Sequence, residues 1–476
     1  MGHYSTVRKH HKTAFHPLST RVHLSFGAER VDWWKTSGEE EGMRPNDEDL
    51  KAQMMAAAEE VIEKLLAGTK EKEELSLSDI ERLVRKAGQN VMEELTGTLA
   101  QAEAQGRESR ICPECGRKMR YKGQKKRELV TETGEVSLER RYYYCPTCRE
   151  GVFPLDRRWE LNETAYSPEL ARRMVWISGL VPYEKASAVF ERIGHRHVPE
   201  SSIRTQARLY GARLKAYADR QQDYVGVERV KLPPPGCDHD RQKGVSMDGG
   251  MVHIRGEGWK EFKVGTVFDV ELRMERDPRT HELVERPHAV DMAYTAVLGS
   301  ADAFSPMLWA LAWHHAVPTA ADSSVTADGA EWIWRLVADL FPDSVQIVDW
   351  YHACQHLAQA AKALHPDNEQ SAQRWYRRRC KDLYKGEIHK ITMRLDTAGL
   401  AKHSHYFHTH KRRMQYQSCL EEGYPIGSGT VESGVKQFKG RLTGAGMRWS
   451  RDGAEEMLVI RGAVMAGKFD LLWDAA

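Results

Sequence analysis

The spacing of apolar residues divides the chain into helical, strand-like and mixed stretches. Residues 1–48 show no periodicity, and we expect them to be mobile. Residues 49–105 repeat apolar positions at helical spacing and predict a helical hairpin, which either packs on the protein or mediates oligomerisation. Its second helix is predicted to begin at Ser78, with Glu81 completing a capping box.

Strand-like alternation replaces helical spacing in residues 106–155. The alternation on both sides of Thr133-Gly134-Glu135 predicts a β-hairpin. One Cys-x-x-Cys pair precedes the hairpin and a second follows it, and the four residues are Cys112, Cys115, Cys145 and Cys148. Because four thiolates suit tetrahedral Zn²⁺, the segment is predicted to be a zinc ribbon with one structural zinc ion. The alternative is an accidental set of surface thiols.

Residues 156–225 predict three helices, of which the polar third is compatible with a helix-turn-helix or with a plain scaffold. A proline-rich stretch marks residues 226–243 as a linker. Polar and basic residues of the ribbon arm and of the third helix are candidate DNA contacts, although such runs are often only solvated faces. They are Arg117, Lys118, Arg120, Lys122, Lys125, Lys126, Arg127, Arg204, Gln206 and Arg208.

From residue 244 onwards strands alternate with helices. Three meandering strands and a β-α-β-α run up to residue 364 predict an RNase H-like sheet. Residues 365–423 predict a helical insertion, and residues 424–476 predict the last helices of the core. The basic and aromatic run 374–379 in the insertion suits either a solvated face or contact with DNA. The predicted fold class is therefore multidomain α+β and α/β: a zinc ribbon, a helical DNA-binding module, and an RNase H-like catalytic core with a helical insertion.

Acidic residues follow the predicted strands of this core. Asp248 on the first strand, Asp328 after the fourth and Glu432 on a late helix would converge and could share two Mg²⁺ or Mn²⁺ ions. Each has a simpler explanation when taken alone: a turn, a helix cap, or a favourable charge in a first helical turn. Asp349 also follows a strand, and it is the alternative to Asp328 as the second metal ligand.

Three segments together resemble insertion-sequence transposases of the ISKra family, which are relatives of the ISL and Mutator-like groups. These segments are Met247-Asp248-Gly249, Asp328-Gly329-Ala330-Glu331-Trp332-Ile333-Trp334 and Gly427-Ser428-Gly429-x-Val431-Glu432-Ser433. Lys436, Arg441, Gly446-Met447, Trp449-Ser450 and the ribbon cysteines extend the similarity. The resemblance implies that Asp248, Asp328 and Glu432 form a DDE triad. It also implies that Asp349 and His352 form an accessory Asp-x-x-His signature, and it adds Lys436 and Arg441 to the DNA contacts.

Charge and composition are compatible with this assignment. The net charge of +2 hides local basic clusters, and cysteines outside the two pairs are scattered, which favours a reducing compartment. No apolar run approaches the roughly 20 residues of a membrane span, so we expect a cytoplasmic, nucleoid-associated protein. The expected function is a DDE transposase that cleaves and joins double-stranded DNA at insertion-sequence ends as a homodimer or higher oligomer. The alternatives are a nuclease of the same fold without strand transfer and an inactive zinc-ribbon DNA-binding regulator.

Overall fold

The computed structural model describes residues 47–70, 74–106, 110–161, 164–226, 241–277 and 281–476. Residues 1–46, most of the segment expected to be mobile, lie outside the described residues. Residues 227–240 of the predicted linker also lie outside them. The described residues form helices, a small antiparallel sheet and a larger mixed sheet, which confirms a mixed α and β fold.

The first described elements form a helical hairpin of α1 (Asp47–Thr69) and α2 (Leu77–Ala104). Ser76 caps α2: its hydroxyl accepts the backbone N–H of Asp79, and the Asp79 carboxylate accepts the backbone N–H of Ser76, both at 3.2 Å. The predicted capping box of Ser78 and Glu81 is therefore wrong, because Ser78 already lies inside the first turn.

A three-stranded antiparallel sheet follows the hairpin in the order β1–β2–β3. Its elements are β1 (Arg120–Val130), β2 (Glu135–Cys145), β3 (Glu150–Val152) and the short helix α3 (Pro154–Arg158). The β1–β2 turn closes where the Thr131 N–H donates to the Gly134 carbonyl at 2.8 Å. The predicted hairpin is confirmed, and β1 is longer than expected because it takes in most of the basic run.

Three helices lead from the ribbon to the large sheet: α4 (Pro168–Leu180), α5 (Tyr183–Arg192) and α6 (Glu200–Gly226). Ser167 caps α4, and Pro168 lies in its first turn. α6 is a long helix whose inner face packs Ala207, Tyr210 and Leu214 into a core shared with the C-terminal helices. Its inner face thus serves as scaffold for the sheet that follows.

The large sheet has the strand order β6–β5–β4–β7–β8. Its strands are β4 (Lys243–Ile254), β5 (Gly258–Arg276), β6 (Leu283–Leu298), β7 (Ser323–Ala327) and β8 (Val345–Val348). β4, β5 and β6 are antiparallel neighbours, whereas β4, β7 and β8 run parallel. This is the order expected from three meandering strands and two crossovers, so the parallel strands end at one edge.

β4 continues through Asp248-Gly249-Gly250 without a turn, although an Asp-Gly pair often marks one. Phe262 on β5 pairs with Gly250, and a Cβ on this glycine would lie 2.4 Å from the phenylalanine ring. The glycine therefore leaves room for a cross-strand aromatic ring, and the strand stays straight.

Helices cover both faces of the sheet. They are α7 (Ala301–His314), α8 (Glu331–Leu340), α9 (Trp350–Leu364), α10 (Glu369–Tyr384), α11 (His389–Thr397), α12 (Ala401–His410), α13 (Tyr416–Glu421), α14 (Gly429–Leu442), α15 (Arg451–Met465) and α16 (Phe469–Ala475). One core joins Met247 to helices α7–α9 and to the inserted helices α10–α13. The other core joins Val252 to α6, α14 and α15. Asp248 and Val252 are four residues apart on β4, so their side chains point to the same face of the sheet, which is the face that α14 covers.

Candidate functional site

Three aspartates share one level of the central parallel strands. Val245 pairs with Val325 in the β4–β7 ladder, so the same register three residues further on places Asp248 opposite Asp328. The last pair of the β7–β8 ladder is followed immediately by Asp328 on one strand and Asp349 on the other. The sheet therefore brings Asp248, Asp328 and Asp349 to neighbouring positions, although only Asp328 and Asp349 follow strand ends and Asp248 lies within β4.

Asp248 is partly buried on β4. Its Oδ1 accepts the backbone N–H of Gly249 at 2.6 Å. Burial raises the pKa of the Asp248 carboxyl, and the nearby carboxylates of Asp328 and Glu432 raise this pKa further. Asp248 therefore lies close enough to Asp328 and to Glu432 for their charges to act on it.

Asp328 lies in the loop between β7 and α8. Its Oδ1 accepts the backbone N–H of Ala330 at 2.8 Å, and its main-chain carbonyl accepts the indole N–H of Trp334 at 2.9 Å. The loop is fixed by these two bonds, and among the described residues no hydrogen bond reaches Oδ2 of Asp328. This oxygen is the one that can serve as a metal ligand.

Asp349 is fully buried and its carboxylate takes three hydrogen bonds. Oδ1 accepts the N–H of His352 at 2.6 Å and so caps α9. Oδ2 accepts the N–H of Ser428 at 2.6 Å and the hydroxyl of Ser428 at 3.0 Å. The carboxylate therefore joins the start of α9 to the residue that precedes α14. Sequence analysis missed this role of Ser428, which the Gly-Ser-Gly motif contains.

Glu432 lies in the first turn of α14, and its Oε1 lies 3.3 Å from the Ser428 hydroxyl, whose single proton is shared between this oxygen and Oδ2 of Asp349. Ligand atoms of Asp349, His352 and Glu432 all lie within 4.8 Å of one another, which makes this group geometrically able to hold a metal ion. Asp248 and Asp328 belong to no such group within the described part of the chain. In a two-metal site the ions lie about 3.5–4 Å apart, so carboxylates that bind different ions can be separated by more than 4.8 Å.

The inserted helix α12 closes one side of the site. Tyr406 stacks on His356 of α9 with ring centroids 3.7 Å apart. A Cβ at Gly329, next to Asp328, would lie 2.5 Å from the Tyr406 ring and 3.2 Å from Nε2 of His410. Burial raises the pKa of the Tyr406 hydroxyl, and Asp328 raises it further. No sequence motif points to Tyr406, because it lies far along the chain from the aspartate that it approaches.

The four ribbon cysteines form a compact cluster. Their Sγ atoms all lie within 4.8 Å of one another, with 3.9 Å between Cys112 and Cys148 and 3.6 Å between Cys115 and Cys145. Zn–S bonds of about 2.3 Å in a tetrahedron require S–S separations of about 3.8 Å. The cluster therefore has the geometry of a tetrahedral zinc site, as predicted.

The two cysteine knuckles have matching backbones. Gly116 donates its N–H to the Cys112 carbonyl at 2.9 Å, and Arg149 donates to the Cys145 carbonyl at 2.8 Å. Gly116 and Arg149 both have positive φ angles, 68° and 59°. The same tight turn thus occurs twice. Its left-handed backbone conformation is adopted by a glycine in the first knuckle and by an arginine in the second.

Arg127 does not have the exposure expected of a DNA contact. Its guanidinium donates to the buried Asp156 carboxylate at 2.6 Å and also to the carbonyls of Leu161 and Thr164. Arg140 pairs with the other oxygen of Asp156 at 3.1 Å. These contacts tie β1 to the segment after α3, which corrects the assignment of Arg127 as a DNA contact.

Gln206 and Arg441 are also buried. The Gln206 amide donates to the Thr164 hydroxyl at 3.0 Å. The Arg441 guanidinium donates to the Ser178 carbonyl at 2.5 Å and lies 5.1 Å from the centre of the Trp449 ring. Both residues are therefore structural, because their side chains have no route to a DNA phosphate, and their assignment as DNA contacts is corrected.

The remaining candidate contacts reach the surface. Arg208 is about half exposed but pairs with Glu456 at 3.1 Å. Lys125 lies 3.9 Å from the centre of the Tyr142 ring, and Lys436 lies 3.9 Å from Glu432. The exposed residues of the original set are Arg117, Lys118, Arg120, Lys122, Lys125, Lys126, Arg204, Arg208 and Lys436.

The basic run of the insertion forms a stripe on α10. Arg374, Arg378, Lys381 and Lys385 are exposed and recur every three or four residues, which places them on one helix face. Trp375, Tyr376 and Cys380 lie on the opposite side and pack against the core. The aromatic residues of this run are therefore packing residues, and the cations alone face solvent.

No protein-family model matches this chain, and a search of curated proteins found no match. Among the helices that the structure describes, none is both long enough and apolar enough to cross a membrane.

Proposed function

We propose that this protein is a DDE transposase with an RNase H-like catalytic core, which cleaves and joins DNA at insertion-sequence ends. The observation that carries the proposal is that Asp248 of β4 lies near two other carboxylates, Asp328 directly after the neighbouring strand β7 and Glu432 of α14. Adjacent carboxylates repel one another unless a cation lies between them, and oxygen ligands are those that Mg²⁺ and Mn²⁺ prefer.

Asp328 is the better second metal ligand of the two aspartates considered. Both oxygens of Asp349 already accept hydrogen bonds that hold α9 and α14, whereas Asp328 has an oxygen free to bind an ion. Asp349 therefore acts as a positioning residue: it holds Ser428 by its backbone N–H, so that the Ser428 hydroxyl lies between Asp349 and Glu432. His352 follows in the same helix turn and lies beside this bridge.

The site suits in-line displacement at phosphorus. Two divalent ions held by Asp248, Asp328 and Glu432 would activate the attacking oxygen and stabilise the leaving oxygen. The protein's own part is to hold the three carboxylates at fixed positions and to align the DNA strand. Hydrolysis at a transposon end and attack by the freed 3′-hydroxyl on target DNA are both displacements of this kind, so one site can perform both.

Two exposed basic surfaces fit the phosphate backbone of double-stranded DNA. The first is the exposed side of the ribbon arm with Arg117, Lys118, Arg120 and Lys122. The second is the α10 stripe, in an insertion whose helix α12 packs beside Asp328. Cations that neutralise phosphates release counterions and give binding that weakens steeply with salt. We assign these surfaces to the transposon end and its flank.

The decisive experiment measures cleavage and strand joining of DNA that carries the ends of the flanking element, in Mg²⁺ or Mn²⁺. Asp248→Asn, Asp328→Asn and Glu432→Gln are each expected to abolish both steps while leaving DNA binding intact. Asp302→Asn, an exposed acidic residue on α7, is the matched control and should keep full activity.

Three other outcomes would contradict the proposal. Cleavage without joining would indicate a nuclease. Binding of the ends without cleavage under any metal condition would indicate a DNA-binding regulator. Activity retained in Asp328→Asn but lost in Asp349→Asn, with Asp349→Asn unchanged in stability, would show that Asp349 is the second ligand.

A further inference from the structure

Helix α2 presents apolar side chains to solvent along its whole length. Leu77, Ile80, Val84, Met92 and Leu99 are between 43% and 71% exposed. With Gly88 they recur at intervals of three, four or seven residues, which places them on one face of an α-helix. Large apolar residues exposed singly are ordinary, but a continuous stripe of them marks an interaction surface.

The neighbouring helix carries a similar stripe. Met55, Ile62 and Leu66 on α1 are each more than half exposed and lie seven and four residues apart. Another side of α1 faces α2, where Val61 is buried and a Cβ at Gly68 would lie 4.0 Å from the Leu83 side chain. The hairpin therefore satisfies its own internal contact and still leaves apolar residues of both helices uncovered. This surface, Met55, Ile62 and Leu66 of α1 with the α2 stripe, is called the hairpin face below.

The α2 stripe is nearly palindromic about Gly88. Leu77 and Leu99 each lie eleven residues from it, and Val84 and Met92 each lie four residues from it. Two copies of α2 that cross in opposite directions at Gly88 would pair leucine with leucine and valine with methionine. A stripe with this symmetry is self-complementary, which is the property that a two-fold interface requires.

We infer that a second copy of this chain binds the hairpin face, with the two α2 helices antiparallel and crossing at Gly88. No atom lies within 4 Å of the position that a Cβ would take at Gly88, so the helix backbone is open to close approach there. This contact buries the stripes of both hairpins in a bundle of four helices.

Charge distribution along α2 favours the antiparallel direction. Three basic residues, Arg82, Arg85 and Lys86, and two acidic residues, Asp79 and Glu81, precede Gly88 and give this half of α2 a net charge of +1. Three acidic residues, Glu93, Glu94 and Glu103, follow it, and no basic residue does. Antiparallel helices place the basic part of one copy beside the acidic part of the other, whereas parallel helices place like charges together.

The size of the face matches that of a stable dimer. A helix of 28 residues is about 42 Å long, and two adjacent helices about 10 Å wide cover on the order of 800 Å². This is about the area that each partner buries in a specific protein–protein interface. The inference depends on this surface alone and holds whether or not the protein is a transposase.

Light scattering with size-exclusion chromatography of the full chain, without DNA, tests the inference. The mass is expected to be twice 54.4 kDa for the wild type. Val84→Glu with Met92→Glu should give the monomer mass, because each change occurs twice at a two-fold interface. The expected rise in the dissociation constant is at least about 100-fold, which corresponds to about 2.7 kcal/mol. Asn90→Glu, on the exposed opposite side of α2, is the control and should leave the dimer intact.

Cross-linking tests the direction of the helices. Under mild oxidation Gly88→Cys should form a covalent dimer, and a mixture of Leu77→Cys and Leu99→Cys chains should cross-link to each other. Asn90→Cys and the wild type give the background from other cysteines. Cross-linking of Leu77→Cys to itself would refute the antiparallel arrangement. A wild type that is monomeric at all concentrations, or dimers unaffected by the two glutamates, would refute the interface. Far-UV circular dichroism and zinc content check that every variant is folded.

Discussion

The roles assigned to Asp328 and Asp349 predict different effects of their replacement: loss of Asp349 should lower stability, whereas loss of Asp328 should abolish activity and leave stability nearly unchanged. Replacement of Asp349 by alanine removes three hydrogen bonds, to Ser428 N at 2.6 Å, to Ser428 Oγ at 3.0 Å and to His352 N at 2.6 Å. Ser428 is buried, so its N–H is left without a partner. Hydrogen bonds to a charged group contribute about 1.5–3 kcal/mol each, and their losses are not additive, so the expected loss of stability is about 3–5 kcal/mol.

Asp328→Ala removes only the bond to Ala330 N at 2.8 Å from a partly exposed site. Its loss of about 1 kcal/mol is offset because the change also removes repulsion of Asp248. In a domain of this size 1 kcal/mol corresponds to about 2–4 °C in Tm. We therefore expect Asp349→Ala to lower Tm by about 10 °C and Asp328→Ala to leave it nearly unchanged.

The assay is thermal unfolding of both variants in EDTA and in Mg²⁺, together with DNA cleavage. Asp328→Ala should unfold like the wild type in EDTA, lose the stabilisation by Mg²⁺ and lack activity. Asp349→Ala should be destabilised in both buffers, and Asp349→Asn should recover part of the stability, because its amide oxygen can still accept one bond. The reasoning is refuted if Asp349→Ala unfolds like the wild type yet loses its response to Mg²⁺, since Asp349 would then be a metal ligand.

Four further perturbations have defined outcomes. Removal of zinc by a chelator, or Cys112→Ser, should unfold the ribbon and abolish DNA binding, as measured by circular dichroism and gel shift; binding that survives would exclude a structural zinc role. Gly329→Ala should lower cleavage at least tenfold because its Cβ meets Tyr406, whereas Gly427→Ala, with contacts of 3.5 Å or more, is the control. Because the pKa of Asp248 is raised in the folded protein, the free energy of unfolding of the metal-free protein should fall as the pH rises from 3.8 through this raised pKa. Asp248→Asn should remove that fall. The same dependence of stability on pH in the variant and the wild type would contradict this expectation. Arg374→Glu combined with Arg378→Glu should weaken DNA binding and reduce its dependence on salt concentration. An unchanged slope of log affinity against log salt concentration would exclude the α10 stripe as a DNA-binding surface.

Local spacing was enough to predict the ribbon and the sheet order. Two Cys-x-x-Cys pairs on either side of a hairpin predict a zinc site, because the two antiparallel strands between Cys115 and Cys145 bring the second pair back beside the first. The positions of Asp328 and Asp349 were also predictable, because parallel strands finish at one edge, whereas Asp248 lies within β4 and not at its end. The neighbouring positions of Asp248 and Asp328 follow from the register of the β4–β7 ladder.

Contacts between distant parts of the chain were not predictable from spacing. Arg127 lies in a basic run that resembles a DNA-binding surface, but its guanidinium is bound by Asp156 of α3 and by two carbonyls that follow this helix. Tyr406 reaches the Asp328 loop from a helix whose own sequence contains no sign of that contact. Ser76 replaced Ser78 as a helix cap because two serines stand two residues apart, and local propensity does not separate them.

The bond between Asp349 and Ser428 has a consequence for how this protein can change over time. The chain leaves the sheet at Asp349 and comes back at Ser428, and the Trp350 N–H donates to the Ile426 carbonyl at 2.9 Å beside it. Helix α9 and the inserted helices α10–α13 thus lie in one excursion of the chain whose two ends are tied at a single neck. The exposed turns of this excursion can change in length while Glu432 keeps its place, because the bonds at the neck do not depend on them. Under the proposed function, substrate choice can therefore diverge through this segment while α9 and Tyr406 keep their packing beside the site.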